Sequence, residues 1–196
     1  ERIEMLARAN CETVRIGVET GDEEVREKAY LKPVSNERYR ETCGQLRKKG
    51  IKVTGYYILG GPADTWESLK KTWSLNRELR IDRPFFFMFR PFPGTRAWDM
   101  VTQLGGTFES GHEEIANLHS QPSIRAASVP AWKVSNFRRA CILVFTGGRV
   151  LRLIRTQRIR FFRDFAAYAW HAFREGMRFE FIVGYGLHTA GDNLHM

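Results

Sequence analysis

The sequence predicts an α/β fold: a partial (βα) barrel with parallel strands, followed by an α-helical C-terminal region. Three observations predict it. Strand-like segments starting near residues 13, 51 and 84 alternate with helical ones over residues 1–100. The last two strands are apolar nearly throughout, as strands buried on both faces are. Beyond about Val134 the pattern turns helical and strongly basic. Strand–helix alternation of this kind means parallel strands covered by their connecting helices.

The elements follow in order. Residues 2–7, Arg-Ile-Glu-Met-Leu-Ala, read as the middle of a helix. The chain opens on Glu1 rather than Met, so an upstream segment is expected. In residues 13–20 Val14, Ile16 and Val18 alternate with Arg15, Gly17 and Glu19, which is strand periodicity. Gly21-Asp22 turns the chain, and Asp22-Glu23-Glu24 places carboxylates in the first turn of a short helix. A second helix starts near Ser35, carries Tyr39, Cys43 and Leu46 on one stripe, and stops at Gly50 behind Arg47-Lys48-Lys49.

Residues 51–59 form a strong β run, broken by Gly60-Gly61-Pro62. A third helix is expected from about Asp64 to Arg80, with Asp64 and Glu67 at capping-box spacing and Trp66, Leu69 and Trp73 sharing a face. Pro84 to Arg90 reads as another strand, ended by Pro91-Phe92-Pro93-Gly94-Thr95. The first strand alone is polar on one side, through Arg15 and Glu19. In a closed or nearly closed barrel that face lines the lumen, and active sites sit at the C-terminal ends of the strands. Residues 1–100 therefore form one module, 101–133 a loop-rich connector with His112 and His119, and 134–196 a basic helical extension interrupted at Gly147-Gly148.

Composition narrows the function classes. With 43% hydrophobic and 27% charged residues the chain is globular, not disordered. No apolar run approaches the roughly 18–20 residues of a membrane span. Cys11, Cys43 and Cys141 lie far apart, so they supply neither a metal knuckle nor a disulfide framework, and reduced thiols in a cytoplasmic protein are the default. The net charge of +9 is uneven: Arg125 to Arg178 carries twelve basic residues against two acidic ones, and the remainder is near neutral.

Three pieces in series resemble the second half of a radical S-adenosylmethionine (SAM) barrel: Gly17-Val18-Glu19-Thr20, then Ile58-Leu59-Gly60-Gly61-Pro62 with Asp64-Thr65, then Arg90-Pro91-Phe92-Pro93-Gly94-Thr95. They look like the family's Gly-Val-Glu-Ser, Ile-x-Gly-x-Pro-x-Glu-Thr and Pro-Gly-Thr turns at strands four, five and six. Thr20, Gly61 and Asp64 depart from that pattern. The resemblance covers roughly residues 1–100. It is closest to the group with a cobalamin-binding domain in front of the barrel, whose basic helical tails Arg149-Val150-Leu151-Arg152-Leu153-Ile154 resembles.

The resemblance implies a TIM-barrel-like enzyme with SAM and a [4Fe–4S] cluster as cofactors, and cobalamin where that group is concerned. Reductive cleavage of SAM would yield a 5′-deoxyadenosyl radical that takes hydrogen from a small-molecule or lipid-like substrate, leading to methyl transfer or rearrangement. The chain lacks Cys-x3-Cys-x2-Cys, so the cluster ligands are expected upstream, in a part of the same protein that this segment partners. The chain by itself is then not expected to be active. By the same resemblance Glu19 contacts the SAM ribose or amino group, the backbone around Ile58 and Gly60 faces the adenine, Tyr56 lines the lumen, and Arg90 holds a carboxylate. The residues alone leave two other readings open. One is a different βα-barrel enzyme, using Glu19 and Arg90 as an acid–base or anion-binding pair. The other is a non-catalytic basic module. The basic helices read as a solvated face, as a peripheral contact with anionic membrane, or as an RNA-binding patch, with membrane ahead of RNA because the interleaved apolar residues are bulky.

Overall fold

The structure is a computed structural model that describes residues 1–103 and 128–156. His112, His119 and the basic residues beyond Thr156 lie outside the described residues. The chain divides into two compact units, residues 1–135 and 136–196.

In the first unit the order is α1 (Arg2–Arg8), β1 (Thr13–Glu19), α2 (Glu23–Tyr30), α3 (Asn36–Lys48), β2 (Lys52–Leu59), α4 (Trp66–Leu79), β3 (Arg83–Met88) and α5 (Arg96–Gln103). The three strands make one parallel sheet in the order β1-β2-β3. This is the α/β arrangement of a partial βα barrel. Each crossover contains a helix, because a parallel neighbour can be reached only by carrying the chain back along the sheet.

Strand alternation sorts the side chains onto two faces. Val18, Val53, Tyr57, Leu59, Phe86 and Met88 are buried on the helix-covered face. Tyr57 stacks on Phe86 at 5.0 Å, and Trp73 of α4 lies 6.3 Å from the same ring. Cys43 and Leu46 of α3, with Leu69, Leu75 and Leu79 of α4, complete this core. On the opposite face Tyr56 pairs with Phe85 and Ile58 with Phe87, and all four remain partly accessible.

Ser35 caps α3 by accepting from the Arg38 amide. The cap of α4 differs from the expected Asp64/Glu67 pair. Thr65 and Ser68 form the capping box, and α4 begins at Trp66. The reason is that the Asp64 carboxylate is already committed to the preceding turn. Strand β3 ends at Met88, two residues short of Arg90. The Phe89 amide makes one last bond to Leu59 O at 2.7 Å, and Pro91 has no N–H to continue the ladder. Trp66, expected to pack inward, is 38% exposed and lies beneath the Lys133 ammonium, 4.3 Å from its ring centroid.

Helix α6 (Ala131–Thr156) runs unbroken through Gly147-Gly148, where an interruption was expected. Two exposed glycines cost about 1 kcal/mol each in a helix interior. That is too little to break a helix of 26 residues. A Cβ at either glycine would meet nothing, so no close contact demands them.

Candidate functional site

The parallel register brings the C-terminal ends of all three strands to one rim. Glu19 lies beside Tyr57, Tyr57 beside Phe86, and Leu59 beside Met88. Glu19, Ile58, Gly60 and, just past β3, Arg90 therefore belong to the same end of the sheet, with Tyr56 two residues below Ile58 on its face. Glu19 and Arg90 are half-buried.

The end of β1 is built with care. The register shifts between Gly17 and Glu19, and Glu19 takes a left-handed backbone at φ 66°, rare for a residue with a Cβ. The Thr20 amide folds back to Val18 O at 2.9 Å. Arg26 of α2, fully buried, holds this turn: its Nε donates to Val18 O and Thr20 O at 3.1 Å each, and its Nη1 to Val34 O at 2.6 Å. Its guanidinium lies 4.9 Å from the Tyr39 ring centroid. Burial pushes the Arg26 pKa down, against the neighbouring Tyr39, Glu23, Asp22 and Glu19. From α4, Thr72 Oγ1 accepts from the Gly21 amide at 2.9 Å. Gly21 must be glycine, since a Cβ would sit 2.3 Å from the Lys71 carbonyl oxygen.

The loop after α2 delivers Lys32 to the same place. Its ammonium donates to Gly17 O and lies 3.1 Å from Glu19 Oε1. The pair is partly open, with side chains 35% and 20% accessible. Lys32 has no signal in the sequence, because the positive φ at Leu31 aims it and no periodicity encodes that.

The turn after β2 is equally fixed. Gly60 sits at φ 81°, and the amides of Gly60 and Gly61 donate to Asp64 Oδ2 at 2.8 and 3.0 Å. Ser68 Oγ donates to Asp64 Oδ1 at 2.8 Å. Burial pushes the Asp64 carboxyl up, and its three hydrogen bonds only partly offset this. Tyr30 reaches over the rim from α2. Its hydroxyl is buried without a hydrogen-bond partner, and its pKa is raised by burial and then by Asp64 and Glu19. Phe89 and Val101 form a small cluster here with Tyr30, Ile58 and Ala97 packed against it.

Chemically, the rim offers a carboxylate, an ammonium and a glycine turn beside an apolar side chain. An amino-acid-bearing nucleoside needs acceptors for its hydroxyls and ammonium, a cation for its carboxylate, and an apolar slot for its base. Glu19, Lys32 and the Ile58–Gly60 segment fit those needs. An iron–sulfur cluster does not fit the described residues. No three His, Cys, Asp or Glu groups converge among them. Cys43 and Cys141 are buried, and Cys11 donates to Thr13 O.

Comparison with known proteins adds an independent line. Residues 1–75 match the radical SAM superfamily. A tRNA-2-methylthio-N(6)-dimethylallyladenosine synthase of Trichlorobacter lovleyi is 33% identical over 96 residues, 48% of this chain and 22% of that protein. A bacteriochlorophyllide d C-12(1)-methyltransferase of Chlorobaculum tepidum is 30% identical over 95 residues, 48% of this chain and 21% of that protein. An uncharacterised methyltransferase of Pyrococcus horikoshii is 28% identical over 94 residues, 48% and 20% respectively. The chain thus spans about a fifth of the length of these curated relatives.

Proposed function

Residues 1–75 match the radical SAM superfamily and contribute two strands to a parallel sheet, and from that premise we propose that this chain forms the SAM-binding rim of a radical SAM enzyme. The observation that carries the reading is the Glu19–Lys32 pair at the end of β1, beside the Gly60 turn of β2. When bound and reductively cleaved, SAM supplies the radical that takes hydrogen from substrate.

The residues of this chain bind and orient. Glu19 accepts from the ribose hydroxyls or the ammonium of SAM. Lys32 holds its carboxylate, and the Ile58–Gly60 backbone meets the adenine, glycine permitting close approach. Tyr56 lines the lumen below, and Arg90 holds a second carboxylate of SAM or substrate. The thiolates for a [4Fe–4S] cluster come from sequence outside these residues. A methylthio or methyl transfer is the reaction class, since relatives are named for both, and by the resemblance of the motifs a methyl transfer would use cobalamin. The small-molecule substrate is chosen by segments other than the rim.

Anaerobic reconstitution of the full-length protein tests this. Iron–sulfur absorbance and release of 5′-deoxyadenosine from SAM are expected. Their absence would return the rim to the reading of an anion site in another βα-barrel enzyme. Equilibrium dialysis of SAM against the same protein supplies a readout besides activity. Glu19→Gln and Lys32→Ala should each weaken binding by about tenfold or more, the worth of one charge-assisted hydrogen bond.

A further inference from the structure

Helix α6 carries a surface that the SAM reading does not use. Over residues 136–148 its accessible side presents Asn136, Arg139, Ala140, Leu143, Val144, Gly147 and Gly148. Leu143 is 59% and Val144 63% exposed, unusual for branched aliphatic side chains placed on successive residues. The same helix exposes Trp132 in its first turn. Its charge is of one sign: Lys133, Arg139, Arg149, Arg152 and Arg155 belong to α6 beside the buried Arg138, and from Ile115 to Arg163 the sequence holds neither Asp nor Glu. No helix among the described residues is long and apolar enough to cross a membrane.

We propose that α6 docks on an anionic phospholipid bilayer, with Leu143 and Val144 in the headgroup–acyl boundary and Arg139 against the phosphates. Charge complementarity selects this occupant. An acid-free cationic helix is drawn to an anionic leaflet, at about fivefold in binding per cation near the surface. The apolar side chains then add their burial in the interface. RNA fits less well. A nucleic-acid surface sets stacking rings among its cations, whereas the exposed residues over 136–148 include no ring and are an asparagine, an arginine, an alanine, two branched aliphatics and two glycines.

Co-flotation of this chain with vesicles tests the proposal. Vesicles of phosphatidylcholine with about a third phosphatidylglycerol should carry it upward, and pure phosphatidylcholine should not. Salt concentrated enough to screen surface charges should release it. Leu143→Ser combined with Val144→Ser should lower partitioning about tenfold or more. Ala140→Asp, which puts an acid on an exposed helix position where folding tolerates it, should lower partitioning about fivefold. Far-UV circular dichroism of each variant checks that the helix persists. The proposal is overturned if neutral vesicles bind equally well, if no vesicles bind, or if folded Ala140→Asp partitions like the parent. Binding to a structured RNA at a salt concentration that frees the vesicles would also overturn it.

Discussion

Arg26→Leu should destabilise the protein by about 3 kcal/mol, although Arg26 touches no ligand in the proposed site. Arg26 is fully buried and ties the turn after β1 to the α2–α3 connection and the start of α3. In the leucine variant Val18 O keeps the Thr20 amide as a partner. Thr20 O loses both guanidinium bonds, Val34 O loses its 2.6 Å bond, and the half-buried Asn36 Oδ1 loses another at 2.6 Å but can turn to water. Two stranded carbonyls at about 1–3 kcal/mol each give roughly 2–6 kcal/mol. Relief of the buried charge and the apolar bulk of leucine bring the figure toward the middle of that range. Arg26→Lys keeps the charge but not the fork that reaches several acceptors, so its loss should be smaller, about 1–2 kcal/mol. Urea unfolding followed by far-UV circular dichroism reads both. The leucine variant's midpoint should fall by about 1–2 M, given the slopes usual for proteins of this size. A leucine variant within about 0.5 kcal/mol of the parent would refute the reasoning, and so would a lysine variant less stable than the leucine one.

The other predictions use the same measurement unless stated. Asp64→Ala strands the amides of Gly60 and Gly61, while Ser68 Oγ keeps Thr65 O; a loss of about 2–4 kcal/mol is expected. Burial raises the Asp64 pKa above its unfolded value, so its share of stability is full below the unfolded pKa and is lost as pH rises through the folded one. The stability of the parent relative to Asp64→Asn should therefore grow as pH falls from neutral toward 3.8, and the opposite slope would contradict this. Gly21→Ala drives a Cβ into the α4 backbone and should cost about 2–3 kcal/mol. Gly17→Ala meets only the movable ends of Glu19 and Lys32 and should cost less than about 1 kcal/mol, while displacing that pair and weakening SAM binding. Burial pushes the Cys141 thiol up to about 12 and raises that of Cys43. Half-exposed Cys11 should thus be alkylated by iodoacetamide at least about tenfold faster than either, a gap that denaturant should close.

The sequence by itself determined the strands, the helices between them, and hence a parallel sheet. Those follow from local periodicity and from the rule that alternating elements wind in one direction. It also placed Glu19 at the end of β1 and Ser35 at the cap of α3, because strand ends and caps are local events. The tertiary structure decided the rest. Asp64 clamps the Gly60–Gly61 turn instead of capping α4, because two buried amides compete for its carboxylate and Thr65 is next in line to cap. Arg26, which reads as one more polar residue of a short helix, is buried because Val18, Thr20, Val34 and Asn36 converge around it from separate segments. Lys32 meets Glu19 across thirteen residues through a left-handed turn at Leu31 and a bulge in β1. Such encounters depend on where several segments arrive together in space. A one-dimensional pattern records the period of each segment but not their meeting point.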